Sequence, residues 1–377
     1  MIVDQQYVAL EPGQVDATVQ AWQARYPDLG LLVLLPEQEQ VAVPWLQEVC
    51  RTRAIPLMGA IFPALVVEDG FRSQGAWLVC FDTCPSHVLQ APLDEAGREQ
   101  LRAWTADVVQ RGVHRPTVFF VFDAMIPDIG TVLDGLHLGL DTPAHYVGVN
   151  AGSETFTDMP CLFDAERLLG HGVLAINLGA QVVTAVRHAY PVSQALMRAT
   201  AAQGNRILQI DGRPAFEVYQ EVVAREYRVA LTRENFYDYA VHFPFGVITV
   251  VDVLVRIPVG LGEDQSLFCV GEIAPHAALR LLRAPHLQDS ECVHELLSTL
   301  GQGLRQANAA QRGLMTFYCA GRRMHFGGDA DTELAGLRRD GGVPHLFGAL
   351  SLGEIDSIED LDAPRFHNAA LVCVASP

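Results

Sequence analysis

His188 differs from the other histidines of the chain in its neighbours. It follows an apolar, strand-like run that ends in the cation Arg187, and Ala189-Tyr190-Pro191 comes next, where the proline turns the chain. A histidine at such a strand end is placed to present its imidazole to an apolar cavity. Haem needs a neutral imidazole nitrogen on iron, an apolar slot for the macrocycle and a cation near the propionates. His188 is therefore a candidate iron ligand, and Arg187 is a candidate partner of the propionates.

Aromatic residues supply candidate walls for such a slot. The candidates that we select are Tyr190, Phe62 and Phe243. A second interpretation of His188 stays open, because a lone histidine at a strand end is more often a structural residue than a metal ligand. The rival ligands, each in a strand or beside an aromatic residue, are His145, His171 and His242.

Motifs of the common enzyme classes are absent from the sequence. It has no phosphate-binding Gly-x-x-x-x-Gly-Lys-Ser/Thr loop, no Gly-x-Ser-x-Gly elbow, no His-Glu-x-x-His zinc motif and no Cys-x-x-Cys pair. We therefore expect a protein that is not an enzyme. The remaining enzymatic interpretation is a hydrolase or transferase that uses Cys319 or Glu354 with a neighbouring histidine.

The composition limits the classes of partner. The chain has 44 Asp and Glu against 26 Lys and Arg, a formal net charge of −18, and it has no basic cluster. We expect no binding to nucleic acid or to anionic membranes, because both need clustered cations. The first residues do not resemble a signal peptide, and no apolar run is long enough to span a membrane, so we expect a cytoplasmic protein. Eight scattered cysteines indicate reduced core residues without a disulfide framework.

The order of the segments predicts an α/β fold with mixed sheets and flanking helices. Helical and strand-like segments alternate in the first half, where PTVFFVFDAM is a run typical of a central strand buried on both faces. The second half has more consecutive strands. The length predicts two layered domains, and we place them at residues 1–150 and 151–377.

Local signals predict turns and helix starts. Glu68-Asp69-Gly70 and Gly179-Ala180 each predict a hairpin. A helical pattern covers residues 37–54, but Pro44 within it favours a later start. A strand at Arg206 to Ile210 precedes the turn dipeptide Asp211-Gly212, and a helix follows from residue 215. We expect Asp211 to accept backbone N–H bonds around Arg213.

Charged residues in the second half predict buried pairs. Arg322, Arg323 and His325 form a polar cluster with Glu354 if the closing strands are neighbours. Arg256 and Glu272 form a second candidate ion pair. We expect both groups to be structural, because a buried charge is retained mainly when it is paired.

The stretch around Asp211 resembles the second half of the FIST family of bacterial sensory proteins. In that family an Asp-Gly-x-Pro-Ala turn joins a strand and a helix and follows a Thr-x-x-x-x-Asn segment, here Thr200 to Asn205. The first half matches by pattern only. Further matches in the second half are Pro244, Arg256, Gly271-Glu272, Cys319 with Gly321-Arg322, Gly353-Glu354 and Phe366-His367-Asn368.

The resemblance implies a non-enzymatic sensor with two family domains. One branch of the family consists of stand-alone chains of about this length that bind haem, sense nitric oxide and control a partner histidine kinase. We therefore expect haem on His188 and an output through a histidine kinase or another signalling protein, with a homodimer as one open oligomeric state. The alternative is a sensor of a small organic ligand, such as an amino acid, that is held between the domains without haem. The apolar turn at residues 59–63 suits a hydrophobic ligand better than an amino acid.

Overall fold

The computed structural model describes residues 1–111, 115–139, 144–180, 182–250, 252–306, 313–357 and 363–375, and its architecture is mixed α/β. Apolar strands form several mixed sheets, and helices pack on them, so the predicted fold class is confirmed. The run PTVFFVFDAM forms a strand at Thr117–Asp123 in which every residue is buried. Two strands flank it in its sheet, as the near-continuous apolar pattern predicts.

The helices start close to their sequence signals. The α-helices of the described residues are α1 (Pro12–Arg25), α2 (Val43–Thr52), α3 (Glu95–Arg111), α4 (Ile129–Leu138), α5 (Ala215–Tyr227), α6 (Phe236–Ala240), α7 (Cys292–Gln306), α8 (Ala320–Phe326) and α9 (Asp329–Gly341). A 3₁₀ turn at Glu37–Ala42 precedes α2, and a second lies at Leu287–Asp289. Pro44 occupies the first turn of α2, where its missing N–H costs nothing, so the later start is confirmed.

Three sheets of six strands form the larger part of the molecule, with strands numbered in chain order. Sheet 1 runs β1 (Ile2–Val8), β6 (Ala76–Phe81), β2 (Gly30–Pro36), β3 (Leu57–Phe62), β10 (Leu162–Asp164) and β11 (Leu168–Leu169). Sheet 2 runs β26 (Pro364–His367), β25 (Glu354–Ser357), β9 (His145–Ala151), β8 (Thr117–Asp123), β12 (Val173–Gly179) and β7 (His87–Gln90). Sheet 3 runs β13 (Val183–Arg187), β27 (Leu371–Ala375), β23 (Leu314–Cys319), β24 (Leu346–Ser351), β4 (Leu65–Val67) and β5 (Gly70–Arg72).

Two smaller sheets come from residues 192–282. Sheet 4 runs β14 (Val192–Arg198), β22 (Ala278–Leu282), β18 (Phe245–Ile248) and β19 (Val253–Arg256). Sheet 5 runs β15 (Ala201–Gln203), β16 (Arg206–Ile210), β21 (Leu267–Cys269) and β20 (Pro258–Leu261), and β17 (Arg213–Pro214) pairs with β16. With α5 and α6 these strands enclose an apolar cluster of their own.

Each large sheet combines strands from both sides of residue 150. In sheet 1, β3 pairs with β10; in sheet 3, β4 pairs with β24. All described strands of sheets 4 and 5 lie within residues 192–282. The predicted division into residues 1–150 and 151–377 stays a prediction, because strand pairing does not show which segments fold on their own.

The two predicted hairpins have different outcomes. β4 and β5 pair antiparallel, with Leu65 opposite Arg72 and Glu68 in the turn at φ +60°, so the first hairpin is confirmed. The hairpin at Gly179 is wrong. β12 pairs with β7 and β8 in sheet 2, whereas β13 pairs with β27 in sheet 3. β12 and β13 therefore follow one another in the chain but belong to different sheets.

Asp211 lies in the expected turn but binds a different segment. Its Oδ1 accepts the N–H of Arg198 at 3.0 Å, and the N–H of Gly212 donates to Thr200 Oγ1 at 2.8 Å. The expected bonds around Arg213 are therefore wrong. Asp211 has a φ of +51°, a conformation that Asp and Asn tolerate better than most residues. The turn thus ties the end of β16 to the end of β14.

Replacing Asp211 with alanine should destabilise this region. Asp211→Ala removes the acceptor for the Arg198 N–H, and we expect the free energy of unfolding to fall by about 1 kcal/mol. Denaturant titration measures the change. Asp211→Asn is the control, because it keeps an acceptor oxygen and tolerates the positive φ, so it should retain most of the stability. An alanine variant as stable as the wild type would contradict this role.

Candidate functional site

An apolar pocket of about 200 Å³ lies where parallel strands end. β8 and β9 run parallel, and so do β23 and β24. The chain just beyond β9 contributes Glu154 and Phe156 to the pocket, the chain beyond β23 contributes Ala320, and the chain beyond β24 contributes Leu352. Ligands of open α/β sheets bind at the carboxyl ends of the strands. This position makes the pocket the leading candidate site.

Residues from α6 and sheets 4 and 5 form the opposite wall. Tyr237 and Ala240 lie in α6, and Val241 follows it. Ile257 links β19 to β20, and the other residues from this part of the chain lie in β20. The complete set of described lining residues is Glu154, Phe156, Tyr237, Ala240, Val241, Ile257, Pro258, Val259, Val270, Cys319, Ala320, Gly321, Met324, Leu352 and Asn368. The two walls of the pocket therefore come from different sheets.

Of these residues the sequence pointed only to Cys319, as a candidate nucleophile, although a further signal was present. Cys319 with Gly321, Gly353-Glu354 and Phe366-His367-Asn368 are short motifs far apart in the chain. Cys319, Gly321 and Asn368 line the pocket, and Gly353 directly follows the lining residue Leu352. The motifs therefore mark one site, but only the pairing of β23 with β24 and β27 brings them together.

A buried thiol and a buried carboxyl lie at the sheet side of the pocket. The N–H of Ala369 donates to Cys319 Sγ at 3.1 Å, and burial raises the pKa of this thiol. Glu354 accepts the Ser351 hydroxyl at 2.6 Å and the Ala370 N–H at 3.2 Å. Burial raises the pKa of Glu354 to about 7. Cys319 is thus a protonated thiol rather than the thiolate that nucleophilic catalysis needs.

Asn368 lines the pocket and bonds both of its walls. Its Nδ2 donates to the His367 carbonyl at 2.8 Å, and its Oδ1 accepts the Ile257 N–H at 3.2 Å. The second bond ties the wall at Ile257 to the segment between β26 and β27. The Asn368 side chain therefore holds the two walls together, and these bonds use one of its two amide protons and one of the two lone pairs of its oxygen.

Arg322, in α8 behind the pocket, forms a buried ion pair with Glu333 in α9. Nη2 donates to Oε1 at 2.6 Å and Nε donates to Oε2 at 2.8 Å, and neither side chain is exposed by more than 1%. Tyr318 donates its hydroxyl to the same carboxylate at 2.7 Å. The predicted cluster of Arg322 with Glu354 is wrong, because Glu354 faces Ser351 and Ala370 instead.

The second predicted ion pair is also replaced by other bonds. Arg256 Nε donates to the backbone carbonyl of Glu272 at 3.0 Å, and its Nη1 donates to the Phe366 carbonyl at 2.9 Å. The Glu272 carboxylate instead accepts the N–H of Thr131 at 2.9 Å and its hydroxyl at 2.7 Å. Backbone carbonyls from two segments therefore satisfy the buried guanidinium.

Both ring nitrogens of His188 are satisfied by its own chain. Nδ1 accepts the N–H of Tyr190 at 3.0 Å, and Nε2 lies 3.1 Å from the Val253 carbonyl, to which it can only donate. Burial, reinforced by His367, lowers the pKa of His188 to about 4, so the imidazole is neutral. An iron ligand needs one nitrogen lone pair free, and this arrangement provides none.

The other predicted haem contacts lie in different parts of the core. Phe62 packs against Phe317 with ring centroids 5.8 Å apart. Phe243 stacks on Tyr227 at 4.9 Å in the cluster enclosed by sheets 4 and 5. Tyr190 belongs to a third apolar cluster. The three aromatic residues therefore do not line one slot, since strand pairing carries each into a separate cluster.

Arg187 adjoins His188 in the chain but has its own partners. Its Nη2 donates to Thr299 Oγ1 at 2.8 Å and its Nη1 donates to the Val186 carbonyl at 2.7 Å. As arranged, the five predicted residues do not fit a haem. Haem ligation by His188 stays a prediction. It requires a free lone pair on one ring nitrogen, either on Nδ1 after loss of the Tyr190 bond, or on Nε2 after loss of the Val253 bond and a change of tautomer.

A pair of histidines links the pocket walls. The Nδ1 atoms of His242 and His325 lie 2.7 Å apart, and His325 Nε2 lies 2.8 Å from the Pro285 carbonyl. His325 must donate from Nε2, so its Nδ1 accepts the proton held on His242 Nδ1. The preceding residues, Val241 and Met324, line the pocket from its two sides. This bond therefore clamps α6 to α8.

The described residues were also searched for metal-binding clusters and for membrane-spanning helices. No three of their His, Cys, Asp and Glu side chains are grouped so that they could hold a metal ion. Among their helices, none combines the length and apolar character needed to cross a membrane.

The comparisons with known proteins agree with the motifs around the pocket. The FIST N domain family model matches residues 28–213, and the FIST C domain model matches residues 215–357. The chain is therefore a FIST-domain protein, and FIST domains are sensor domains of signal transduction. The comparison with curated proteins gives no match. Glu154 and Phe156 belong to the FIST N range, and most other lining residues belong to the FIST C range.

Breaking the buried ion pair should strongly destabilise the fold. Glu333→Gln leaves the Arg322 charge buried without its counter-ion, and we expect the free energy of unfolding to fall by about 3–5 kcal/mol. Denaturant titration measures this loss. Asp340→Asn, which breaks the exposed pair of Asp340 with Arg339, is the control and should leave stability unchanged. A small effect of Glu333→Gln would show that Arg322 is stabilised by its other partners.

Glu354 should make stability depend on pH. Its pKa in the folded protein, about 7, lies above the unfolded value of 4.5. The stabilisation of the fold by protonated Glu354 is therefore fully present below about pH 4.5 and is lost as the pH rises through 7. Glu354→Gln removes this dependence, so the stability of the variant relative to the wild type should rise by about 3 kcal/mol between pH 4 and pH 8.

Denaturant titrations of both proteins across that pH range measure the difference. The exposed carboxylate variant Glu263→Gln is the control and should show the pH dependence of the wild type. A constant stability difference between Glu354→Gln and the wild type would mean that the Glu354 pKa is not raised.

Proposed function

We propose that this FIST-domain protein senses a small organic ligand with an apolar body, bound in the pocket between the FIST N and FIST C ranges. The observation that carries the proposal is the pocket's position at the carboxyl ends of β9, β23 and β24. Its volume of about 200 Å³ is below the roughly 300–1,000 Å³ of pockets for drug-sized ligands, which favours a small compound.

A ligand in this pocket contacts both walls at once. Leu352 and Ala320 belong to the wall built on sheet 3, whereas Val241 and Ile257 belong to the wall built on α6 and sheet 4. A ligand that binds one arrangement of the walls more tightly than another shifts the population toward that arrangement. The clamp between His242 and His325 and the bond between Asn368 and Ile257 limit how far the walls separate. The output passes to a partner, for which a sensor histidine kinase is the leading candidate.

Haem-based sensing of nitric oxide stays the alternative prediction. It requires a rearrangement that frees one nitrogen of His188 and opens an apolar slot beside it. Adding haem to the purified protein and recording the visible spectrum tests it. A Soret band that forms with the wild type and is lost in His188→Ala would overturn the small-ligand proposal in favour of haem.

Filling the mouth of the pocket should abolish ligand binding. Val259 lines the pocket and is 38% exposed, so Val259→Trp adds an indole at the mouth without disturbing the core. With 2-phenylethanol as a neutral probe, we expect its dissociation constant to rise at least ten-fold, measured by isothermal titration calorimetry. The matched control is Val250→Trp, the same substitution at a fully exposed residue that does not line the pocket. Equal binding by both variants would place the probe elsewhere and contradict the proposal.

A further inference from the structure

Among the lining residues that the structure describes, one is charged, and that residue is an anion. Glu154 is partly buried and is the single carboxylate among the described lining residues. No hydrogen bond or ion pair joins its side chain to any other residue that the structure describes. A carboxylate at the mouth of an apolar pocket is most stable with a cation beside it. Glu154 is therefore positioned to pair with a charge that the ligand supplies.

No described lining residue is a cation that could serve instead. The basic residues of the adjacent helix α8 all have other partners. Arg322 pairs with Glu333, Arg323 lies 4.6 Å over the ring of Phe71, and His325 bonds His242. No cationic side chain among the described lining residues or on α8 is therefore available to a carboxylate on the ligand. An amino acid or another anion would have to bury that carboxylate without a partner.

Two exposed aromatic rings flank the mouth of the pocket. Phe156 is 38% exposed and Tyr237 is 61% exposed, and both line the pocket together with Glu154. The face of an aromatic ring attracts an ammonium group, by about 0.5–1 kcal/mol at exposed sites. The net charge of −18 also raises the local concentration of cations. These groups favour a positive charge at the mouth and an apolar body inside.

We propose that the ligand is an organic amine, with one ammonium group on a small alkyl or aryl-alkyl body. The ammonium pairs with Glu154 and lies beside Phe156 and Tyr237, and the body packs between Leu352 and Val241. This inference rests on the proposed function, because it assigns a chemical class to the ligand of the same pocket.

Three probes that share one phenyl body separate the contribution of charge from that of shape. They are 2-phenylethylamine, 2-phenylethanol and phenylacetate, which are cationic, neutral and anionic at pH 7. We expect the amine to bind about ten-fold more tightly than the alcohol, and the anion more weakly than both, by calorimetry at low salt. Because surface charge pairs are screened, added salt should reduce the advantage of the amine.

Glu154→Gln should reduce the affinity for the amine to that for the alcohol, and leave the affinity for the alcohol unchanged. Glu263→Gln is the matched control, because it removes the same charge from an exposed site that does not line the pocket. It should preserve the preference for the amine, which separates a local pair from the overall field of the protein.

The outcomes distinguish this inference from the proposed function. Equal binding of amine and alcohol, both lost in Val259→Trp and both unchanged in Glu154→Gln, would overturn the amine class and leave the pocket as the ligand site. No binding of any probe to the wild type would overturn both. Tighter binding of phenylacetate would assign the site to an anion, against the inference.

Discussion

The buried pair of Arg322 and Glu333 is the interaction on which the arrangement of the second half depends. Removing two charges from water is costly, and this cost is offset only when hydrogen bonds satisfy both groups. Two parallel hydrogen bonds join the pair, and the hydroxyl of Tyr318 donates a third hydrogen bond to the Glu333 carboxylate. Arg322 Nη1 also donates to the carbonyl of His188 at 2.8 Å. One guanidinium thereby fixes α8, α9 and β23 against the segment that leads into sheet 4.

This anchoring explains why a pocket forms where it does. The ends of β23 and β24 cannot be covered by their own sheet, because parallel strands bring their carboxyl ends to one edge. Residues from α6 and the β19–β20 link cover that edge incompletely, and the uncovered volume is the pocket. Two short connections, from His242 to His325 and from Asn368 to Ile257, hold the cover in place. A ligand bound between the two walls can therefore change their relative position.

The histidines illustrate how hydrogen-bond satisfaction separates structural from functional roles. His188 has the residue types around it that a haem ligand needs, yet the N–H of Tyr190 and the carbonyl of Val253 occupy its two nitrogens. The turn at Ala189, with a φ of +53°, directs the chain so that these bonds form. By contrast, Glu154 has no partner among the described residues although it lines a pocket. A pocket-lining charge without a protein partner is a better candidate for contact with a ligand than a histidine whose two nitrogens are already bonded.

Much of the local structure was determined by the sequence alone. The central strand at residues 117–123, the start of α2 at Pro44 and the turn at Glu68 follow from apolar pattern, proline geometry and turn chemistry, which act over a few neighbouring residues. The family motifs can likewise be recognised from a few neighbouring residues each. The partners of Arg322, Arg256 and Asp211 could not be predicted from the sequence. Each partner lies more than ten residues away in the chain, and other groups compete for the same bond. The hairpin expected at Gly179 failed for the same reason, since two adjacent strands joined different sheets. Only tertiary structure could decide the site, because a pocket is the space left between strands whose register and order depend on long-range pairing.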